Sequence, residues 1–209
     1  MRAFLAIEII DEIKEYLKNI TNLMALHIDG VKWVDKTGLH ITLKFLGEIE
    51  DKKISQIWES ISYIENRYTP FDVTTKDIDA FPDKRKARVI ITTLENGVDN
   101  IKNIYNDIDE SLSYSGFKRE TRSFTPHITL GRMKIPGSVH GKAFKDIERK
   151  GFTAGSITLF KSILRREGAL YTPVWNLKLK GKEKLHYKDG HVTYNRDKSL
   201  SVTRGGIIR

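Results

Sequence analysis

Apolar and polar residues change their spacing several times along this chain, and each change marks an element. Residues 3–9, A-F-L-A-I-E-I, form a short apolar run suited to a buried strand. Ile13, Leu17, Ile20 and Met24 then recur at helical steps, with Asp11 placed to cap the helix they predict. Residues 31–34 and 39–46 read as strands, separated by the turn-forming segment 35–38. Ile54, Ile57, Ile61 and Ile64 mark a second helix that opens near Asp51. Residues 71–81 read as extended and 86–94 as a further strand.

The second half repeats this order. Val98, Ile101, Ile104 or Tyr105, Ile108 and Leu112 form a helical stripe closed by Gly116, and residues 122–132 are again extended. The first half ends on H-I-T-L-K-F-L-G and the second on H-I-T-L-G-R. A pattern repeated in this way predicts two related α+β lobes, each a small sheet backed by helices. Residues 152–164 and 169–180 read as two more strands joined through Gly168, and a short helix is expected at 139–149. The expected organisation is one bilobal domain over 1–181. The polar tail, 182–209, fits an extra hairpin, a disordered segment or an added extension equally well.

Composition narrows the classes. With 209 residues, 39% hydrophobic, the chain can bury a sizeable core. The N-terminus is basic and then apolar, but the apolar run is short and cut by Glu8, so it reads as a strand and not a signal peptide. No apolar run is long enough to span a bilayer, and the absence of cysteine excludes disulfides and thiolate chemistry. These features fit a cytoplasmic protein. The net charge of +9 favours polyanionic partners such as RNA.

The repeated H-I-T-L, at 40–43 and 127–130, carries the candidate chemistry. Strand alternation puts His40 and Thr42 on one face with Ile41 and Leu43 on the other, and does the same for His127 and Thr129. Imidazole exchanges protons near neutral pH, so two histidines flanking one phosphate can act as base and acid without metal. The threonine hydroxyls can hold the non-bridging oxygens. A lone H-x-T is usually incidental, and H-V-T-Y at 191–194, which lies in the tail outside the repeat, reads as coincidence.

Arg132 could neutralise phosphate, but strict alternation puts it opposite His127. Phe45 likewise falls opposite His40 and reads as core. Tyr171 or Phe81 could stack on a base, although packing is the commoner role for such residues. The basic clusters Lys84, Arg85, Lys86, Arg88 and Lys118, Arg119, Arg122 suit an RNA backbone or a solvated loop equally. No His/Asp/Glu spacing suggests a metal site.

These residues resemble a known family. M-R-A-F-L-A-I-E-I, W-V-D-K-T-G-L-H-I-T-L-K-F-L-G at 33–47, F-P at 81–82 followed by A-R-V-I, and F-T-P-H-I-T-L-G-R at 124–132 are similar to the two-histidine phosphoesterase superfamily. Within it they resemble the RNA 2′,3′-cyclic phosphodiesterases, first named as 2′-5′ RNA ligases. L-F-K-S-I-L at 159–164 and G-A-L-Y-T-P-V at 168–174 complete a match over about residues 1–181.

The resemblance implies a duplicated, pseudo-twofold bilobal fold, with antiparallel sheets flanked by helices around a central cleft. It implies hydrolysis of terminal 2′,3′-cyclic phosphates to 2′-phosphates, with His40 as proton donor and His127 as proton acceptor. Thr42, Thr129 and Arg132 would bind the phosphate. The symmetry of the motifs leaves the two histidine roles open on spacing alone. The resemblance further implies 2′-5′ ligation by the same chemistry with an RNA hydroxyl in place of water. The expected substrates are RNAs with cyclic phosphate ends, tRNA fragments among them, handled by a monomer without cofactor. Two other readings stay open: an RNA- or nucleotide-binding module without turnover, and a two-histidine enzyme acting on a small cyclic nucleotide or a 2′-5′ oligoadenylate.

Overall fold

The computed structural model describes residues 1–139, 147–164, 168–181, 186–188 and 191–193. The first half runs β1 (Arg2–Glu8), α1 (Asp11–Ala25), β2 (Val31–Trp33), β3 (His40–Glu48), α2 (Lys52–Ile61) and α3 (Ile64–Arg67). Then come β4 (Phe71–Phe81), β5 (Ala87–Leu94), α4 (Val98–Tyr114) and β6 (His127–Gly137). β7 (Gly151–Ala154), β8 (Ser156–Leu164) and β9 (Ala169–Lys178) follow, with a short pair, β10 (His186–Lys188) and β11 (His191–Thr193), in the tail.

The strands form two antiparallel sheets, ordered β3-β1-β8-β9 and β2-β6-β5-β4-β7. Among the described residues β10 and β11 pair with each other and with no other strand, so the third H-x-T lies on neither large sheet. Residues 140–146, the greater part of the predicted helix at 139–149, and most of the tail lie outside the described residues; 139 and 147–149 are not helical.

The α+β class and the duplication are as expected. β1 pairs with β3 as β5 pairs with β6, and each of β1 and β5 leads into a long helix. The two sheets do not divide the chain at its midpoint, however. β2 leaves the first half to pair with β6, while β8 and β9 return to extend the first sheet. α4 packs against β3, and α1 against β6, so each long helix supports the strand carrying the other half's histidine.

The helices follow their apolar stripes. Ile13, Leu17 and Met24 of α1 and Ile101, Ile104, Ile108 and Leu112 of α4 are buried in one core shared by both sheets. Ile41, Leu43, Ile128 and Leu130 point into that core, which turns the alternate residues outward. Asp11 is the first helical residue and makes no side-chain cap. With Glu12 it places negative charge at the positive end of the helix dipole instead. The helix predicted over Ile54–Ile64 ends at Ile61, and Ile64 opens the short α3. Residues 152–164 divide into β7 and β8, and the strand carrying His127 starts at that residue.

Candidate active site

Each motif is followed by a break in strand register. Leu5 pairs with Lys44 but Ala6 pairs with Thr42, so Leu43 is an extra residue in β3. Ile90 pairs with Gly131 but Ile91 pairs with Thr129, so Leu130 is extra in β6. Leu43 and Lys44, and likewise Leu130 and Gly131, are consecutive buried residues. A bulge of this kind reverses the alternation beyond it.

Two expectations are corrected as a result. Arg132, placed by strict alternation opposite His127, comes round to the face of His127 and Thr129. Phe45, expected in the core, is instead 59% exposed on the face of His40, its ring 6.0 Å from that of Phe4. Arg132 and Phe45 hold equivalent places in the two halves. Lys32 lies across from Arg132 on β2 and adds a second cation to that face.

The two bulges are held differently. In β6 the bulge carries Gly131, where a Cβ would come within 2.7 Å of Val31 Cγ1 and 2.8 Å of Trp33 Cε3, so β2 can lie close only over glycine. In β3 the same place is taken by Lys44, which is 3% exposed and paired with Asp109 of α4, 4% exposed. Lys44 Nζ also donates to the Lys118 carbonyl at 2.9 Å, and the Glu120 amide donates to Asp109 at 3.2 Å. Burial alone would raise the Asp109 pKa, but the Lys44 and Glu120 hydrogen bonds outweigh it and hold the carboxyl below its usual range.

His40 sits in an aromatic wall. Its ring lies 4.8 Å from Phe4, 5.3 Å from Tyr171 edge-on and 6.3 Å from Phe160. Loss of solvent there pushes its pKa down from 6.5 to about 4. The Gly38 carbonyl, as acceptor for the ring, works the other way, and the positive charges of His127, Lys14 and Arg132 depress it further. His40 Nε2 lies 2.9 Å from Thr42 Oγ1. His127 is lowered by the same loss of solvent and by Arg132, against the Thr125 carbonyl. Its Nδ1 lies 2.7 Å from that carbonyl, so the proton of the neutral ring sits on Nδ1 and Nε2 keeps its lone pair. Phe81 meets His127 edge-on at 5.0 Å. Tyr171 and Phe81 are thus walls for the two imidazoles.

β3 and β6 are in contact, and the charges of His127 and Arg132 reach His40, so the two motifs lie near one another. The sequence reading missed Phe4 and Phe160, which lie in apolar strand segments with nothing to distinguish them from core. It also missed the carbonyls of Gly38 and Thr125, each two residues before a histidine. Among the described residues, no His, Cys, Asp and Glu cluster could hold a metal ion. No described helix is long and apolar enough to cross a membrane.

A duplicated α+β fold that presents one imidazole–hydroxyl pair from each half to a shared cleft is the architecture of the two-histidine phosphoesterases. This chain belongs to the LigT-like phosphoesterase family, whose pattern matches residues 7–91 and again 92–171. The double match follows the internal duplication.

The chain is 36% identical over 176 residues to the RNA 2′,3′-cyclic phosphodiesterase of Methanocaldococcus jannaschii, covering 82% of this chain and 96% of that one. It is 30% identical over 183 residues to the enzyme of the same name from Thermotoga maritima, covering 87% and 97%. Among solved structures it is similar to E. coli LigT complexed with 3′-AMP, at a TM-score of 0.70 and 26% identity, over 85% of this chain and 97% of that one.

Proposed function

We propose that this protein hydrolyses RNA 2′,3′-cyclic phosphate ends to 2′-phosphates, with His40 as proton donor and His127 as proton acceptor. The observation that carries the reading is the imidazole–hydroxyl pair on the equivalent strand of each half, with Nδ1–H of His127 tied to the Thr125 carbonyl so that its Nε2 keeps a lone pair to act as base. Nε2 of His127 takes a proton from water as the water oxygen bonds to phosphorus. The P–O3′ bond breaks, and Nε2–H of His40 gives its proton to the departing 3′ oxygen. The products are a 2′-phosphomonoester and a free 3′-hydroxyl.

The wall that makes His40 hard to protonate also makes its imidazolium a strong acid, suited to a poor leaving group. Thr42 and Thr129 donate hydrogen bonds to the non-bridging oxygens, and Arg132 balances their charge. The names of the M. jannaschii and T. maritima relatives support RNA as the substrate class.

The test uses a short RNA ending in a 2′,3′-cyclic phosphate, in EDTA, with wild type, His40→Ala and His127→Ala. Wild type is expected to form the 2′-phosphate, and each variant to lose about 10²- to 10⁴-fold in rate. A 3′-phosphate product, or full activity in either variant, would overturn the assignment.

A further inference from the structure

The carbonyls that set the two imidazoles, those of Gly38 and Thr125, hold equivalent places but are fixed by different means. Gly38 ends a 3-10 turn, Lys36–Gly38, and its own amide donates to the Asp35 carbonyl at 2.7 Å. The first half thus carries this support in its own backbone. Residues 118–126, which lead to His127, form neither helix nor strand. Among the described residues, no backbone-to-backbone hydrogen bond of a turn or loop involves them. Such a segment keeps one conformation only where side chains from elsewhere hold it.

The side chains that hold it come from α4. Tyr105 and Asp109 lie one turn apart on its inner face, 8% and 4% exposed. Asp109 accepts from the Glu120 amide at 3.2 Å and from Arg119 Nε at 3.4 Å, which fixes the start of the segment. The Tyr105 ring stacks on that of Phe124 at 4.0 Å, with 9° between the planes, which fixes its end. The contact is face to face, so the ring and not the hydroxyl makes it. Phe124 directly precedes Thr125, whose carbonyl accepts from His127 Nδ1 at 2.7 Å.

The geometry points to Tyr105 and Phe124 as positioning residues for the base: their stack holds the Thr125 carbonyl on His127 Nδ1 and so keeps the proton off Nε2. This inference rests on the proposed role of His127 as proton acceptor and deepens it. Without the stack, the nearest anchor is Asp109 at Glu120, five residues short of Thr125. The ring then loses its acceptor and takes up the Nε2–H tautomer as well, which has no lone pair on Nε2 for the water proton. Thr129 and Arg132 stand on β6, beyond the segment, so substrate binding is spared.

The experiment uses the full chain with Phe124→Ala, Tyr105→Ala and Tyr105→Phe. It measures kcat and KM on an RNA ending in a 2′,3′-cyclic phosphate. Long-range 1H–15N correlation spectra of the free protein, recorded well above the imidazole titration range, report each ring's tautomer. Wild type should show His127 as Nδ1–H. Phe124→Ala and Tyr105→Ala should move it toward Nε2–H and lower kcat by about 10- to 100-fold. KM should stay within about twofold, and His40, whose carbonyl sits in its own turn, should keep its wild-type signals. Tyr105→Phe keeps the stack and should match wild type in every reading.

Unchanged kcat and tautomer in Phe124→Ala overturn the inference. So does a loss of activity with the His127 tautomer unchanged, or an equal disturbance of His40, which marks general damage. Where an alanine variant fails to fold, Phe124→Leu and Tyr105→Leu keep the apolar bulk without a flat stack and carry the same expectations. If wild type turns over no cyclic phosphate, the phosphoesterase reading fails. The spectra then decide alone: an Nδ1–H His127 in Phe124→Leu overturns the positioning role, and a shift toward Nε2–H supports it.

Discussion

At neutral pH the free protein should hold both motif histidines, His40 and His127, uncharged, and a bound phosphate should reverse this. With a pKa of about 4 in place of 6.5, His40 is protonated in about one molecule in a thousand at pH 7. The 2.5-unit depression is worth about 3 kcal/mol between charged and neutral forms. Because the folded pKa lies below the unfolded one, the folded state binds fewer protons between pH 6.5 and about 4. Stability is therefore fully present above pH 6.5 and falls as the pH drops through that window, by up to about 3 kcal/mol from this ring. A phosphate between His40 and His127 introduces negative charge and raises both values.

The assay is an NMR titration of the imidazole Cε1–H signals in the free protein and with saturating 2′-AMP, using His40→Ala and His127→Ala for assignment. The free protein should show both transitions below 6.5, and the complex should show both shifted upward. In kinetics, kcat/KM reports the free enzyme, so its bell should peak on the acid side of pH 6.5, with apparent values that belong to the pair. A free-protein His40 that titrates at or above 6.5, or a ligand that leaves both rings unmoved, refutes the argument from the aromatic wall.

Three further outcomes are expected. Lys44→Met leaves Asp109 charged and buried, so urea denaturation should show a loss of about 3–5 kcal/mol, while Lys44→Met with Asp109→Leu should recover most of it. Arg132→Ala removes a cation that lowers both histidines, so both pKa values should rise in the same NMR titration while kcat/KM falls by about 10- to 100-fold. Gly131→Ala drives a methyl against Val31 and Trp33, and thermal unfolding should show a cost of about 1–3 kcal/mol.

What was legible in the sequence was whatever depends on local period. The apolar stripes of α1 and α4 and the outward turn of His40, Thr42, His127 and Thr129 follow from alternation within a few residues. The exchange of β2, β8 and β9 between the halves was not legible, because pairing partners far apart in the chain leave no trace in period. The bulges lie between these cases. Alternation places Phe45 and Arg132 on the wrong face because it assumes an unbroken register. A sign of the break was nevertheless present. A lysine at position 44 and a glycine at 131 each follow H-I-T-L, where an unbroken strand would turn them outward. In α4, Asp109 interrupts an otherwise apolar buried stripe. A buried carboxylate needs a partner, and Lys44 becomes that partner only if β3 turns it inward at a bulge. Asp109 thus fixes the conformation of a strand 65 residues away, and through it the face on which Phe45 stands.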